Sequence, residues 1–253
     1  MRGRLSALIY DHIRHAGNAG DLWKHLILGE AVDHQLSTGL IYAESHAGYP
    51  GYILKPGGEW TSGIGRLWAR RGDFIGFSYI QALERLNPSD LLAYPGSTCL
   101  AMMVAEEGGA SLRVEAWDID PLAGPAWSSL DAFPHDLRFH TGDGFSGVEE
   151  LLEEEAGLLL IDPPLIERTD VKRSARLLEL AANSGWTVLF WYMADIERPR
   201  LPASVETYSI EFAKAGLECG RWKEAEVAVS GSRGLCERIR ERTSEFMELV
   251  ERW

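Results

Sequence analysis

Short apolar runs punctuate the chain, and stretches with helical spacing lie between them. Residues 39–44 (GLIYAE) read as a buried strand, residues 112–118 (LRVEAWD) as a second and residues 137–140 as a shorter third. Residues 157–162 (GLLLID) give the clearest strand, closing on an acid, and residues 186–192 (WTVLFWY) give a fifth. Residues 120–133, 144–155 and 170–184 carry helical spacing, and residues 21–35 read as a helix ahead of the first strand. Strands that are apolar throughout are covered on both faces, and helices between them imply parallel pairing. The pattern predicts an α/β, doubly wound domain, whose ligands bind beyond the carboxyl ends of the strands.

One interval breaks the alternation. From Glu44 to Asp118 the chain runs far longer than one crossover helix needs, and residues 55–94 are expected to form a helical insertion. Ile64, Leu67, Trp68, Ile80, Leu83 and Leu86 supply its apolar faces, with Arg66, Arg70, Arg71 and Arg85 on the other sides. Those arginines read either as ordinary surface charges or as contacts to phosphate. Residues 224–229 read as a strand. Leu235, Ile239, Phe246, Val250 and Trp253 recur at helical spacing and suggest a closing helix; the alternative is a strand at residues 235–240 pairing back on 224–229.

Composition narrows the class. With 45% apolar residues in 253, the chain is neither disordered nor collagen-like. No apolar run is long enough for a transmembrane helix or leads the chain as a signal peptide would. Cys99, Cys219 and Cys236 lie far apart, which argues against a disulfide framework or a zinc ribbon. The net charge of -13 disfavours a phosphate-rich partner, but it is unevenly placed. Residues 1–100 hold 9 basic and 9 acidic side chains, so the whole excess falls after them. A nucleic acid, if bound, is expected on a face built mainly from the first 100 residues.

The sharpest chemical signal is Asp162-Pro163-Pro164-Leu165, directly after the strongest strand. Two prolines keep the loop extended. The Asp162 carboxylate and the Pro163 carbonyl can then face one exocyclic amine, bind both its N–H bonds and draw its lone pair out of the ring. That arrangement suits methylation of the amine; the competing reading is a strand-end acid in a rigid turn. Asp118, ending the second strand, is placed to hold ribose hydroxyls or to cap a helix before Pro121. Asp143-Gly144 is placed to meet a cofactor's adenine amine or, equally, to cap the next helix. Residues 45–52 (SHAGYPGY) allow close approach of a ligand to the backbone. Residues 15–21 (HAGNAGD) read as a loop near the strand ends. His12, His15 and His25 complete no familiar metal spacing.

Five segments now stand in one order: HAGNAGDLWKH, YAESHAG, YPGS, GDGF and LLLIDPP. Together, with the spacing HAGN-x-x-D-x-x-KH, they resemble the bacterial 23S ribosomal RNA adenine-N6 methyltransferase family. The resemblance implies a doubly wound Rossmann-like methyltransferase sheet with a helical insertion after the first strand, a single domain over residues 1–253 with 55–94 as the insertion. It implies S-adenosyl-L-methionine as donor, a 23S ribosomal RNA adenine in protein-free or partly assembled large-subunit RNA as acceptor, a cytoplasmic setting, and neither metal nor membrane. Carried over by position, His25, His46, Ser97, Asp118, Asp143 and Gly144 would contact the cofactor, with Lys24 beside them. Asp162 would be the catalytic acceptor of the adenine amine. Tyr10, His12, Lys24, Pro163 and Leu165 would lie toward the substrate.

Three departures stand out. Leu165 occupies a position that is aromatic in the family's DPPY motif, where stacking on a flipped base contributes roughly 1–3 kcal/mol. Tyr49-Pro50 replaces small residues in the glycine loop, and the tail after Val229 does not follow the family's final strand. Leu165 and Tyr49-Pro50 motivate a further reading, a methyltransferase-fold binding protein without full activity, and the acidic later part of the chain motivates another, an amine methyltransferase with a non-RNA substrate.

Overall fold

The computed structural model describes residues 12–37, 39–130, 134–164, 168–220 and 222–252. In chain order the elements are α1 (His12–His15), α2 (Ala19–His34), β1 (Leu40–Glu44), β2 (Gly51–Ile53), α3 (Ile64–Trp68), α4 (Ser78–Leu86), β3 (Ala93–Pro95), α5 (Ser97–Glu107) and β4 (Leu112–Asp118). Then follow α6 (Ala123–Ser128), β5 (Asp136–Thr141), α7 (Gly144–Leu151), β6 (Leu158–Ile161), α8 (Arg168–Asn183), β7 (Thr187–Met193), β8 (Glu206–Glu211), β9 (Glu224–Ser230) and α9 (Arg233–Val250). Single 3-10 turns at Glu59–Ser62 and Arg71–Phe74 flank α3.

Seven strands form one sheet in the order β5-β4-β1-β6-β7-β9-β8. The five strands from β5 to β7 pair in parallel, and β9 pairs antiparallel with both β7 and β8. All four residues of β6 are buried, as expected for a strand covered on both faces. Side chains alternate between two apolar layers. Tyr42, Leu158, Leu160 and Leu189 face α2, α5 and α9, whereas Ile41, Ala43, Leu159 and Phe190 face α7 and α8. The sheet is doubly wound and Rossmann-like. α2 is apolar around most of its circumference because it is walled in by α4, α5 and α9.

The long interval after β1 opens with β2 and closes with β3, which pair antiparallel as a short ribbon. Leu67, Phe74, Ile80 and Leu83 from between them join the same apolar cluster as Leu22 and Leu100.

Several expectations need correction. The helix expected over 120–133 is reduced to Ala123–Ser128 among the described residues. Pro125 interrupts its donors and Gly124 weakens it. The helix expected over 144–155 stops at Leu151, before the exposed acids Glu153, Glu154 and Glu155. The loop expected over 15–21 is mostly helical, since His15 ends α1 and α2 already starts at Ala19. The closing helix expected for the tail is borne out as α9 and the returning-strand alternative is not; Ser232 caps the helix by accepting from the Leu235 N–H. β8 has no counterpart in the sequence reading. It is an edge strand whose residues alternate between exposed and buried instead of forming an apolar run. Tyr10 and Leu165 lie outside the described residues, as does the end of the 120–133 segment.

Candidate active site

Asp162 leaves the end of β6 and meets Lys24 from the second turn of α2, with Lys24 Nζ 2.5 Å from Asp162 Oδ2. The same ammonium lies 3.0 Å from Asp21 Oδ1. The side chains of Lys24, Asp162 and Asp21 are 7%, 16% and 24% exposed, so one cation serves two largely buried carboxylates. Burial works against the Lys24 charge, but Asp162 and Asp21 outweigh it and hold the ammonium ionised above the usual lysine range. Burial pushes Asp21 upward; Lys24, His25 and the Gly17 N–H reverse this and leave it below the usual carboxylate range.

The local sequence builds the start of α2. Asn18 caps it, its Oδ1 accepting from the Asp21 N–H at 2.9 Å, while Asp21 Oδ2 accepts from the Gly17 N–H at 2.9 Å. Gly17 turns the chain with φ +74°, a left-handed conformation suited to glycine. Asn18 Nδ2 donates to Glu59 Oε2 at 3.2 Å, and His15 Nδ1 lies 2.9 Å from Glu59 Oε1, tying this segment to the insertion. His15 therefore turns toward Glu59 while His25 packs elsewhere, and His12 is the first residue of α1.

His25 is buried, with Nδ1 2.9 Å from the Tyr94 hydroxyl, which in turn lies 2.9 Å from that of Tyr79. Burial, reinforced by Lys24, pushes its pKa down to about 3, so it is a neutral imidazole. Beside it the sequence reading missed Glu44. This fully buried acid ends β1 and accepts hydrogen bonds from Ser97, from Thr98 at 2.5 Å and from the Tyr42 hydroxyl at 2.8 Å. Burial raises its pKa to about 7 against the pull of the Ser97 and Thr98 hydroxyls, with the Asp162 charge adding to the rise. Ser97, a candidate cofactor contact, thus spends its hydroxyl proton on Glu44. The sole linear signal for Glu44 was its place as the last letter of GLIYAE.

The loop after β1 is stitched to the loop after β4. The Gly48 N–H donates to Asp118 Oδ2 at 2.8 Å, the Trp127 indole donates to the Gly48 carbonyl at 2.8 Å, and the Tyr49 hydroxyl donates to Asp120 Oδ2 at 3.1 Å. Asp118 Oδ1 also accepts from the Asp120 N–H at 2.8 Å. Asp143 caps α7 through the Phe145 N–H and pairs with Arg173 at 2.7 Å. Its capping role is therefore realised, alongside any ligand contact. A Cβ on Gly144 would stand 1.7 Å from the Ser45 carbonyl oxygen, so the loop after β1 and the start of α7 meet only because this residue has no side chain. His46 Nδ1 lies 2.8 Å from Ser45 Oγ, and its ring meets Phe145 edge-on at 4.7 Å. Burial, with Arg173 adding to it and Asp143 opposing, lowers its pKa to about 4.

The predicted residues thus gather at the carboxyl end of the parallel strands. Lys24, His25 and Asp162 stand on one side, and His46, Asp118, Asp143 and Gly144 stand around the β1 loop. Pro163 is buried and Pro164 exposed. The insertion arginines are mostly committed elsewhere: Arg70 pairs with Asp73, Arg71 with Glu84, and Arg85 with Glu106 and Glu107. Among the described residues no helix is long and apolar enough to cross a membrane.

Comparison with known proteins adds four findings. A family model described as "RsmJ: Ribosomal RNA large subunit methyltransferase D, RlmJ" matches residues 37–195. The chain is 28% identical over 205 residues to the Ribosomal RNA large subunit methyltransferase J of Haemophilus influenzae, covering 73% of this chain and 70% of that protein. It is 29% identical over 175 residues to the protein of the same name from Escherichia coli, covering 64% of this chain and 61% of that protein. The crystal structure of protein LPL1258 from Legionella pneumophila superposes with a TM-score of 0.77 at 20% identity, covering 94% of each chain, and shows the same fold.

Proposed function

The chain belongs to the ribosomal RNA large subunit methyltransferase family of the matched model, and from that premise we propose that Asp162 is the residue at which it methylates an adenine amine. The family transfers a methyl group from S-adenosylmethionine to adenine N6 in 23S ribosomal RNA. The observation that carries the assignment to Asp162 is its place at the end of β6, followed by two prolines and held by Lys24 at 2.5 Å.

The surroundings fit the donor. Loops 45–51 and 119–122 lie at the strand ends, where doubly wound folds take their ligands. We assign His46, Asp118, Asp143, Gly144, His25 and Ser97 to the donor. When bound, the donor supplies an electrophilic methyl group on a sulfonium. The Asp162 carboxylate and Pro163 carbonyl accept the two amine hydrogens and turn the nitrogen lone pair out of the ring. Lys24 holds Asp162 in place. Held by His46, Asp118, Asp143 and Gly144, the donor would supply the methyl group and keep the electron pair of its sulfur–carbon bond as a neutral thioether, and the surplus amine proton would be released to water by way of the Asp162 carboxylate. Positioning and fixed charge carry the rate.

The acceptor adenine must leave its stack to reach Asp162. Residues 14–25 and Arg66 are assigned to the RNA-facing side, and Tyr10, His12 and Leu165 keep the substrate role that the resemblance gives them. We further assign the whole chain to one methyltransferase domain with residues 55–94 as its insertion, acting in the cytoplasm on protein-free or partly assembled large-subunit RNA. The test is a calorimetric titration with S-adenosylmethionine, followed by transfer to unmodified 23S ribosomal RNA by wild type and Asp162→Ala. Binding by both and transfer by wild type alone is expected. No donor binding at millimolar concentration, or equal transfer by the variant, overturns the proposal.

A further inference from the structure

We infer that Asp21 is a positioning residue for methyl transfer, acting through the ammonium of Lys24 that it shares with Asp162. The inference rests on the reading of Asp162 as the amine acceptor.

Three observations lead to it. Lys24 is nearly buried and lies between two carboxylates, 3.0 Å from Asp21 and 2.5 Å from Asp162. Asp21 is itself fixed, because its second oxygen takes the Gly17 N–H and its own N–H is held by Asn18, which Glu59 holds in turn. A continuous line of polar contacts thus runs from the insertion to the strand-end acid. Finally, the one ammonium is divided between two carboxylates.

That division matters for the chemistry. Methyl transfer moves positive charge onto the amine nitrogen, and a carboxylate not fully engaged by Lys24 favours the charge where it arrives. With Asp21 neutral, Lys24 would belong to Asp162 alone and cancel it. With Asp21 ionised, the ammonium is divided and Asp162 keeps acceptor strength for the amine. Asp21 also stops the long lysine side chain from drifting into the place the amine takes.

The test uses Asp21→Asn, which keeps the size of the side chain and an acceptor for Gly17. The expected result is a kcat on 23S ribosomal RNA lower by about tenfold, with KM and the calorimetric donor Kd within about twofold of wild type. In a Lys24→Gln background the same change should add no further loss. An unchanged kcat, or an equal loss in both backgrounds, overturns the inference. A second readout needs no turnover: Asp21→Asn and Asp162→Asn should couple in a thermal-unfolding double-mutant cycle, since each leaves Lys24 to the other. Additive shifts refute the shared ammonium. Failure of wild type to methylate RNA would count against the proposed function instead, and leaves this cycle readable.

Discussion

Lys24 and Asp162, 138 positions apart in the chain, are joined by a 2.5 Å contact between ammonium and carboxylate at the mouth of the sheet. The pair makes Lys24 a stability determinant as well as a site residue. Replacing it by Met leaves Asp21 and Asp162 facing each other in a poorly solvated place. Loss of one partner from such a group costs about 3–5 kcal/mol. Chemical denaturation of Lys24→Met at neutral pH should show a loss of that order, only partly reversed when Asp21→Asn is added, since Asp162 still lacks the Lys24 ammonium. A loss below about 1 kcal/mol would contradict the burial of this charge.

His25 and Glu44 should pull stability in opposite directions with pH. The His25 pKa falls from 6.5 to about 3 on folding, so its contribution is complete above 6.5 and is lost as pH drops toward 3. The Glu44 pKa rises from 4.5 to about 7, so its contribution is complete below 4.5 and is lost as pH climbs toward 7. Between 4.5 and 6.5 the two slopes oppose each other, each at most about 1.4 kcal/mol per pH unit. Thermal melts of His25→Gln should therefore lose stability with rising pH more steeply than wild type in that window. Melts of Glu44→Gln should gain it more steeply. Parallel curves for all three proteins would refute both assignments.

Gly144→Ala should damage both the fold and donor binding. The new methyl would meet the Ser45 carbonyl at 1.7 Å, and neither backbone can yield without shifting the loop that carries His46 and Gly48. A cost of about 1–3 kcal/mol is expected, together with a weaker donor Kd by calorimetry. Gly142→Ala is the control, since a Cβ there meets nothing within 4 Å.

The insertion arginines should differ in their effect on RNA. Arg71 is paired with Glu84, whereas Arg66 is exposed on α3. Arg66→Ala should lower the slope of log affinity against log salt by about one, and Arg71→Ala should leave it nearly unchanged. Equal changes in slope would show that the Arg71 pair opens to phosphate.

The parts of the molecule legible in the sequence are those whose cause is local. β1, β4, β6 and β7 appear as apolar runs because both their faces are covered, and Asp162 is visible because two prolines follow it. β8 was not legible, since an edge strand such as Glu206–Glu211 alternates exposed and buried residues and looks like surface. Residues 15–21 looked like a loop because Gly and Asn are turn residues; in the fold the same residues supply a left-handed turn and a helix cap. Glu44 was missed for a different reason. Its partners Ser97 and Thr98 lie over fifty positions away, and only the packing of α5 against β1 brings them to it. The pairing of Lys24 with Asp162, across 138 positions, was hidden in the same way.

The last helix has a consequence for when the enzyme becomes complete. α9 covers α2, and Arg238 reaches back 208 positions to Glu30 at 3.0 Å, on the helix that also carries Lys24. In the chain α2 comes well before α9. During synthesis α2 therefore lacks one of its walls until α9 emerges, and the segment that carries Lys24 is enclosed only then.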